Sequence, residues 1–357
     1  MTFEELGGWP AVLGRALAGE PLSGVEVQVV LGEVLGGRAS PAQMGAWLVA
    51  LRAKGESLEE MTGLVVGMMA HAEPLELPGD ADVIDVVGTG GDRQSSINVS
   101  TLAALIATGA GARVCKHGGR AASSSVGTAD VLEALGVEVG LGPAGVVRCL
   151  SEVGMAFCFS QRYHPAMRFL APIRRELGVP TIFNFLGPLA NPARARRQLV
   201  GVSDPSMARH MAEVLGAGGS IRSMVVYADD GLDELSVTSP TTVIDLRGDG
   251  EGEFELRKLR VDPQALGLAP ATLADLRGGD ASYNAAAIRA VLDGERGARR
   301  DIGVLNAAGA LVVAGLAGDL PEALGAASAA VDDGRAAAVL DGLVAVSQAA
   351  ARSVAPA

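Results

Sequence analysis

The sequence predicts an α/β protein: a small helical domain plus a larger α/β domain, whose mostly parallel central sheet is flanked by helices. Three observations predict this class. Residues 1–75 show helical periodicity only, short β-branched runs alternate with helices from Val83, and the Ala-rich stretch from about Asn284 onward is helical again. We therefore expect a helical domain over 1–75 and an α/β domain over 76–357.

The helical part contains two signatures of helix starts. Segments 40–43 (SPAQ) and 57–60 (SLEE) each place Ser three residues before Gln or Glu, the pattern of a capping box. A linker is expected over the Pro-containing stretch 72–80. Apolar side chains at helical spacing follow the two boxes, at Met44, Trp47, Leu48 and Leu51, and at Met61, Leu64, Val65 and Met68.

Beyond the linker, strands and helices are predicted to alternate, which favours parallel strands joined by crossovers. The predicted strands are Val83–Val87, Arg113–Cys115, Ala156–Phe159, Leu199–Val202, Ser223–Tyr227 and Thr242–Leu246. The predicted helices between them include Ser100–Thr108, Ala129–Leu135, Ala144–Val153, Ala166–Leu177 and Ser206–Leu215.

Composition excludes several classes of protein. The net charge of −12, from 41 acidic and 29 basic residues, disfavours nucleic-acid binding. The sequence contains no uncharged run of about 18 apolar residues, so no membrane-spanning helix is predicted. The acidic N-terminus is unlike a secretory signal. Three cysteines without CxxC spacing, and four scattered histidines, fit a reduced, cytoplasmic protein with buried thiols better than a zinc site.

A glycine-rich loop follows the first predicted strand. The sequence GTGGD, residues 88–92, precedes a helix that starts near Ser100. In open α/β sheets ligands bind at the carboxyl ends of strands, where glycines and a helix N-terminus favour phosphate. No Gly-Lys-Ser/Thr follows, and Arg93 replaces the third glycine of a dinucleotide fingerprint. The alternative is a tight βα turn without ligand.

A basic loop is predicted one βα unit later. Lys116 and Arg120 flank two glycines just beyond a strand end, and three serines follow at 123–125. Two cations and three hydroxyls form a candidate phosphate clamp, whereas such a loop alone is more often only solvated.

Acidic residues follow another predicted strand. The sequence DDGLDELS, residues 229–236, contains four acids in six residues. Because Mg²⁺ takes one or two carboxylates plus phosphate oxygens, Asp233 and Glu234 are candidate ligands. A turn built on Asp and Gly is the alternative.

Three arginines, Arg168, Arg174 and Arg175, are expected on one helix. The adjacent pair lies about 100° apart, so only one member is expected to face a given cleft. An exposed, salt-bridged helix explains these arginines about as well.

These stretches, in this order, resemble the anthranilate phosphoribosyltransferase family of tryptophan biosynthesis. The resemblance spans roughly residues 20–320 and rests on GTGGD, NVST, KHGGRAASS, ADVLEALG, HPAM, RRELG, TIFNFLGPLANP and DGLDELS. It implies a nucleoside phosphorylase/phosphoribosyltransferase-like fold, with residues from about 164–185 joining the helical domain. It also implies a homodimer joined through the helical domain.

The resemblance further implies transfer of the phosphoribosyl group of 5-phosphoribosyl-1-diphosphate (PRPP) to the amine of anthranilate, with Mg²⁺. It implies Mg²⁺ ligation by Ser100, Asp233 and Glu234, and anthranilate contacts from Gly88, Gly119 and Arg174, the last facing the carboxylate. The PRPP-binding residues that it implies are Gly88, Gly91, Asp92, Ser96, Asn98, Val99, Ser100, Thr101, Lys116, His117, Gly118, Gly119, Arg120, Ala121, Ala122, Ser123, Ser124 and Thr128. No acid/base residue is implied.

Two positions depart from the family pattern. Gly119 stands where the family's usual KHGNR has asparagine, and Pro180 stands where arginine is usual. Both departures concern the acceptor, so a paralogue that uses another aromatic amine is the first alternative. A non-enzymatic nucleic-acid-binding relative and a pyrimidine nucleoside phosphorylase are disfavoured by the acidic charge and by the Asp233-Glu234 pair, respectively.

Overall fold

The fold is described from a computed structural model, which covers residues 1–79, 82–92, 94–121 and 126–354. Of the predicted site residues, Ala122, Ser123 and Ser124 lie outside the described residues. In the described part of the chain, no helix has the length and apolarity needed to cross a bilayer.

The described residues form α-helices and strands, with short 3₁₀ helices at Pro165–Phe169 and Gly187–Leu189. The α-helices are α1 (Gly8–Leu17), α2 (Gly24–Leu35), α3 (Pro41–Lys54), α4 (Leu58–Ala70), α5 (Val99–Gly109), α6 (Thr128–Ala134), α7 (Pro143–Val153), α8 (Ser160–Tyr163), α9 (Ala171–Leu177), α10 (Phe183–Leu186), α11 (Pro205–Ala217), α12 (Ala281–Leu292), α13 (Ala298–Ala314), α14 (Leu320–Asp332) and α15 (Arg335–Val354). The strands are β1 (Ile84–Gly88), β2 (Val114–Gly118), β3 (Met155–Phe159), β4 (Arg197–Gly201), β5 (Arg222–Ala228), β6 (Thr241–Gly248) and β7 (Phe254–Val261).

The chain divides into two compact units. The first comprises Met1–Pro74 and Ser160–Pro192, and the second comprises Leu75–Phe159 and Ala193–Ala357. The first unit therefore contains only helices, α1–α4 and α8–α10, while all seven strands belong to the second.

The two predicted capping boxes of the helical unit are confirmed. The hydroxyls of Ser40 and Ser57 accept hydrogen bonds from the third helical N–H of α3 and α4, respectively. The side chains of Gln43 and Glu60 in turn accept the backbone N–H of these two serines. A third box, which the sequence analysis missed, starts α2 at Ser23. Of the apolar residues predicted after these boxes, all are buried except Val65, which is half-buried.

The single helix predicted over Ala166–Leu177 is wrong. Arg168 lies in the 3₁₀ helix, whereas Arg174 and Arg175 lie in α9, which begins after Leu170. Pro172 explains the break, because a proline ring excludes the carbonyl four residues earlier from an α-helical turn. The three arginines therefore do not share one helix.

The sheet of the second unit has the strand order β3-β2-β1-β4-β5-β6-β7. The first five strands in this order are parallel, and β6 and β7 pair antiparallel. The chain proceeds from β1 outward through β2 to β3, then returns to the other side of β1 at β4. The point where the order reverses, between β1 and β4, is where open α/β sheets bind ligands.

The edge strand β7 was not predicted from the sequence. Its residues, FELRKLRV, mix apolar and basic side chains without strict alternation, and most are exposed. Arginine and lysine on an edge strand discourage pairing with another sheet.

Two helices of the second unit are buried on nearly all sides. In α5 every residue from Thr101 to Thr108 is buried, and in α13 every residue from Ile302 to Val313 is buried. The two helices pack on each other, and α5 also packs on β1 and β2. The N-terminus of α5 is therefore fixed beside the strand ends of the reversal point.

Candidate active site

The carboxyl ends of β1 and β4 form the floor of the site. Gly88 and Gly201 are register partners at these two ends. A side chain at Gly201 would overlap the backbone carbonyl of Asp233, and a Cβ at Gly88 would lie 2.8 Å from the Asp233 carboxylate. Glycine at both positions therefore lets the acidic loop that follows β5 lie directly against the strand ends.

Asp233 joins this acidic loop to the glycine-rich loop. Its Oδ2 accepts a hydrogen bond from the backbone N–H of Gly90 at 2.7 Å, and Asp233 is 7% exposed. A second connection runs from Gln94, whose side-chain amide donates to the carbonyl of Asp230 at 3.0 Å. The loops GTGGD and DDGLDELS, about 140 residues apart in sequence, are thus brought together as one structure.

Three carboxylates near these loops have raised pKa values. Burial, followed by the charge of Asp92, raises the pKa of Asp233 to about 7. Burial, followed by the charge of Asp233, raises the pKa of Glu234 well above its usual range. Burial also raises the pKa of Asp92. Carboxylates that repel one another in a desolvated place favour either protons or a cation.

Glu234 lies near the N-terminus of helix α5. The backbone N–H of Ser100, in the first turn of the helix, opposes the rise in the pKa of Glu234. Asn98, the residue at the cap position, makes no side-chain cap bond. A carboxylate near a helix N-terminus is stabilised by the helix dipole.

Lys116 is a buried cation whose charge acts on this cluster. The prediction that it lies beyond a strand end is wrong: it lies within β2 and is 1% exposed. Its ammonium group donates to the carbonyl of Val86 and, at 3.1 Å, to the hydroxyl of Ser100. Burial lowers the pKa of Lys116, while the charges of Asp85 and Glu234 oppose that effect.

Arg120 does not form a two-cation clamp with Lys116. Its guanidinium pairs with the carboxylates of Asp130 and Glu133, each at 2.7 Å, and stacks over the ring of Phe159. Two acids thus neutralise Arg120 on the surface, while Lys116 is buried in the sheet. The two cations were predicted as equals because they lie four residues apart in sequence.

The donor set fits a magnesium ion shared with a substrate. In the described residues, no group of three or more His, Cys, Asp or Glu side chains is placed to hold a metal alone. The buried Asp233 and the half-buried Glu234 both have raised pKa values, and the charge of Glu234 acts on Lys116, whose ammonium group donates to the hydroxyl of Ser100. Mg²⁺ usually takes one or two protein carboxylates and completes its shell with phosphate and water oxygens.

The remaining predicted site residues of the second unit lie in the same loops, strands and helices as the residues described above, or next to them in sequence. Ser96 and Asn98 precede α5, and Ser96 makes an isolated bridge to Arg277. The hydroxyl of Thr101 is buried and has no hydrogen-bond partner in the described part of the chain. The others lie in the glycine-rich loop (Gly91 and Asp92), in α5 (Val99), in β2 (His117 and Gly118), after it (Gly119 and Ala121) and at the start of α6 (Thr128).

Arg174 belongs to the helical unit. It lies in the last turn of α9, and its Nη2 donates to Oδ1 of Asn184 at 3.3 Å. Its Nε is buried and has no hydrogen-bond partner among the described residues, and burial lowers the pKa of the guanidinium. The guanidinium of Arg174 therefore keeps hydrogen-bonding capacity for a further acceptor.

Sequence reasoning missed four residues that shape the site. Asp85 is fully buried in β1 and accepts the N–H of His117 at 3.1 Å. Gly90 and Gly201 contact Asp233, and Asn284 bonds to Asn98. The two glycines before a cap residue in RGGDASYN were the available signal for Asn284. A cavity of about 500 Å³ lies beside that segment, lined by Val126, Asp130 and Gly278–Ala281.

The chain matches both domains of one glycosyl transferase family. Residues 80–337 match its a/b domain, and residues 10–72 match its helical bundle domain. The anthranilate phosphoribosyltransferase of Salinispora arenicola (strain CNS-205) is 49% identical over 348 residues, which cover 96% of this chain and 97% of that protein.

Solved structures are similar over nearly the whole chain. The anthranilate phosphoribosyltransferase of Thermus thermophilus superposes with a TM-score of 0.87 at 38% identity, covering 94% of this chain and 99% of that one. The Saccharomyces cerevisiae enzyme, solved in complex with PRPP and Mg, gives a TM-score of 0.85 at 25% identity, covering 96% and 98%.

Proposed function

We propose, from the premise that this chain belongs to the anthranilate phosphoribosyltransferase family, that PRPP binds at the reversal point of the sheet and that Ser100, Asp233 and Glu234 hold Mg²⁺ there. The reaction is the transfer of the phosphoribosyl group of PRPP to the amine of anthranilate, which releases diphosphate, in tryptophan biosynthesis. The observation that carries the site assignment is the buried Asp233, which joins the acidic loop to the glycine-rich loop through the Gly90 N–H at 2.7 Å, with the half-buried Glu234 next to it in the chain.

The chemistry requires positioning more than covalent catalysis. The nitrogen of the aromatic amine forms a bond to the anomeric carbon as the bond to the diphosphate oxygen breaks, and the amine then loses a proton. A magnesium ion bound here would neutralise charge on the leaving diphosphate. Restricting both substrates to one geometry supplies much of the remaining rate enhancement.

Lys116 acts through Ser100 in this proposal. Because the ammonium group donates to the Ser100 oxygen, the hydroxyl hydrogen has to point away from Lys116. Ser100 can then donate to a phosphate oxygen, or offer its remaining lone pair to a metal ion. The buried positive charge also favours an anionic ligand above it.

Asp92 and the glycine-rich loop complete the PRPP site. Asp92 accepts the N–H of Gln94 at 3.2 Å, which shapes the loop from within. The Asp233 carboxylate accepts the backbone N–H of Gly90. With these contacts satisfied internally, the loop has a defined conformation before substrate arrives, which reduces the entropic cost of binding.

Arg174 is proposed to face the carboxylate of anthranilate. The unpartnered Nε and the single long bond from Nη2 support this role, because a guanidinium offers paired donors that match a carboxylate. Gly88 and Gly119 are proposed to contact the same substrate.

The test of the magnesium assignment compares carboxylates of one loop. Asp233→Asn and Glu234→Gln are expected to lower kcat/KM by about a hundredfold or more, about 2.7 kcal/mol, and to raise the Mg²⁺ concentration needed for half-maximal rate. Asp229→Asn is the matched control, because Asp229 pairs with Arg260 instead. Normal rates at limiting Mg²⁺ in both site variants would refute the assignment.

A homodimer that forms through the helical unit is also proposed. Apolar side chains are exposed on its first four helices, at Leu17, Val25, Val49 and Val66. Such side chains are favoured at an interface. Light scattering on the full chain gives the mass directly.

A cytoplasmic location is proposed from the cysteines. Cys115, Cys149 and Cys158 are buried and form no disulfide, and the sulfurs of Cys115 and Cys158 lie 3.3 Å apart, within hydrogen-bond distance. Neighbouring thiols that do not form a disulfide are typical of a reducing compartment.

A further inference from the structure

The side-chain amide of Asn284 lies between a backbone N–H and the side chain of Asn98. Its Oδ1 accepts the backbone N–H of Gly279 at 2.8 Å, and its Nδ2 donates to Oδ1 of Asn98 at 2.9 Å. Asn284 is 2% exposed. A buried amide with one partner at each end cannot turn over without losing both bonds.

The polarity of this chain of bonds follows from its first donor. The N–H of Gly279 can only donate, so the end of the Asn284 amide that it contacts must be the oxygen. The other end of Asn284 is therefore the NH₂ group, and the Asn98 atom that it contacts must be the oxygen. The NH₂ group of Asn98 is left as the outward end, and it has no hydrogen-bond partner in the described part of the chain.

Asn98 stands at the cap position of α5, where asparagine normally accepts a backbone N–H of the first helical turn. Here it makes no such bond. The Asn98 side chain is held by Asn284 instead, because its Oδ1 accepts from the Asn284 amide.

The backbone around Asn284 is tied to the same loop. Ile97 N–H donates to the Leu276 carbonyl at 3.0 Å, and Gly278 N–H donates to the Ser95 carbonyl at 2.8 Å. Ser95 has a φ of 53°, a left-handed conformation that a non-glycine residue adopts only when its surroundings require it.

The close approach of these two segments depends on Gly278. A Cβ at this position would lie 2.7 Å from both the Ser96 carbonyl oxygen and Oδ1 of Asn284. The 276–284 segment therefore fits closely against residues 95–98.

We propose that Asn284 is a positioning residue for PRPP: it fixes the Asn98 amide with its NH₂ group outward, so that Asn98 presents a donor, and never an acceptor, to the anionic substrate. The inference rests on the proposed function, in which Asn98 contacts PRPP. Asn284 itself touches no substrate in this account. The Asn98 amide has two orientations, related by a flip of about 180°. Asn284 prevents the one that would place the amide oxygen against a phosphate.

Three single variants and two double variants of the full-length enzyme test this role. Asn284→Asp keeps the acceptor for Gly279 N–H but cannot donate to Asn98, so the Asn98 amide turns its oxygen outward. We expect the dissociation constant for PRPP, measured by calorimetry, to rise about tenfold or more. Asn284→Ala leaves Asn98 free to adopt either orientation, so we expect a smaller rise of about two- to fourfold. KM for anthranilate stays within twofold in both.

This order separates positioning from packing. A purely structural role predicts that Ala is worse than Asp, because Ala loses both hydrogen bonds while Asp keeps one. The added charge is controlled in the Asn98→Ala background, where Asn284→Asp is expected to change PRPP affinity by less than twofold. An equal effect of Asn284→Asp with and without Asn98 would overturn the proposal, as would Ala being worse than Asp.

Three further outcomes also decide between support and refutation. Where Asn284→Asp does not fold, independent effects of Asn284→Ala and Asn98→Ala on PRPP affinity overturn the proposal, and non-additive effects support it. An unchanged PRPP dissociation constant in Asn98→Ala alone would overturn the assignment of Asn98 to the substrate site, and the positioning role with it. A loss in Asn98→Ala, combined with no effect of any Asn284 variant, overturns the positioning role alone.

Discussion

At the scale of single residues, Lys116 shows why a cation's position in the sequence does not define its function. Its ammonium group is 1% exposed and is satisfied by Val86 and Ser100. A group in this place cannot enclose a phosphate as a mobile loop lysine does. It can, however, direct one hydroxyl and supply a charge that solvent screens poorly.

Removing that charge is expected to weaken PRPP binding specifically. Lys116→Met preserves the volume and removes the ammonium, so the dissociation constant for PRPP should rise roughly ten- to hundredfold, about 1.5–3 kcal/mol. Calorimetry measures it, and circular dichroism checks that the variant is folded. An unchanged dissociation constant would show that neither Lys116 nor its control of Ser100 matters for the diphosphate substrate.

His164 is expected to make stability depend on pH. It is 5% exposed, its Nε2 donates to the Ala190 carbonyl at 2.8 Å, and burial lowers its pKa from the ordinary 6.5. The folded state therefore holds neutral imidazole, while the unfolded chain gains a proton below about pH 6.5. Its contribution is complete above that pH and falls, by about 1.4 kcal/mol per pH unit, as the pH drops toward the folded pKa.

Denaturant unfolding at pH 8 and pH 5.5 measures this dependence. The free energy of unfolding of the wild type should fall more between the two values than that of His164→Gln, which has no group to protonate. Parallel losses in the two proteins would show that His164 is not responsible.

At the scale of elements, Glu60 connects three helices of the first unit. Its carboxylate accepts from the Leu22 N–H at 3.0 Å, from the Ser57 N–H at 2.9 Å and from the Lys54 ammonium at 2.6 Å. These contacts join the segment before α2, the start of α4 and the end of α3. The sequence predicted only the capping role.

Loss of the Glu60 charge is expected to destabilise the protein strongly. Glu60→Gln leaves Lys54, whose side chain is 5% exposed, without its counter-charge, and removing one partner of a buried pair costs about 3 kcal/mol. Glu59→Gln, one residue away and exposed, should change the free energy of unfolding by less than about 0.5 kcal/mol. Equal, small effects of the two variants on thermal unfolding would contradict the assigned role of Glu60.

The elements that the sequence predicted well are those whose signals are local. Capping boxes placed the starts of α3 and α4, and the predicted bounds of α5 and α11 lie within about two residues of the observed ones. Strand β2 runs on through Lys116 and His117 because distant groups satisfy both: Ser100 accepts from Lys116 and Asp85 accepts the His117 N–H. Polar residues in a strand indicate a loop when those partners are not known.

At the scale of the whole molecule, the fold class and the family could be predicted, because glycine-rich and acidic loops after strands point to one edge of a parallel sheet. Contacts across long separations could not. Asn284 reaches Asn98 across 186 residues, and Gly201 makes room for Asp233. Such pairs leave no periodic or compositional signal, since each depends on the path of the chain between them. The neutralisation of Arg120 by α6 belongs to the same class.

The central claim is that the carboxylates beside α5 hold the metal that accompanies PRPP. Anomalous diffraction from crystals of this protein grown with Mn²⁺ and PRPP tests it most directly, because manganese replaces magnesium at oxygen sites and scatters anomalously. We expect an anomalous peak at coordination distance, about 2.0–2.3 Å, from Asp233 or Glu234 and from a diphosphate oxygen. Manganese and diphosphate bound together, with neither carboxylate in the metal's coordination shell, would contradict it.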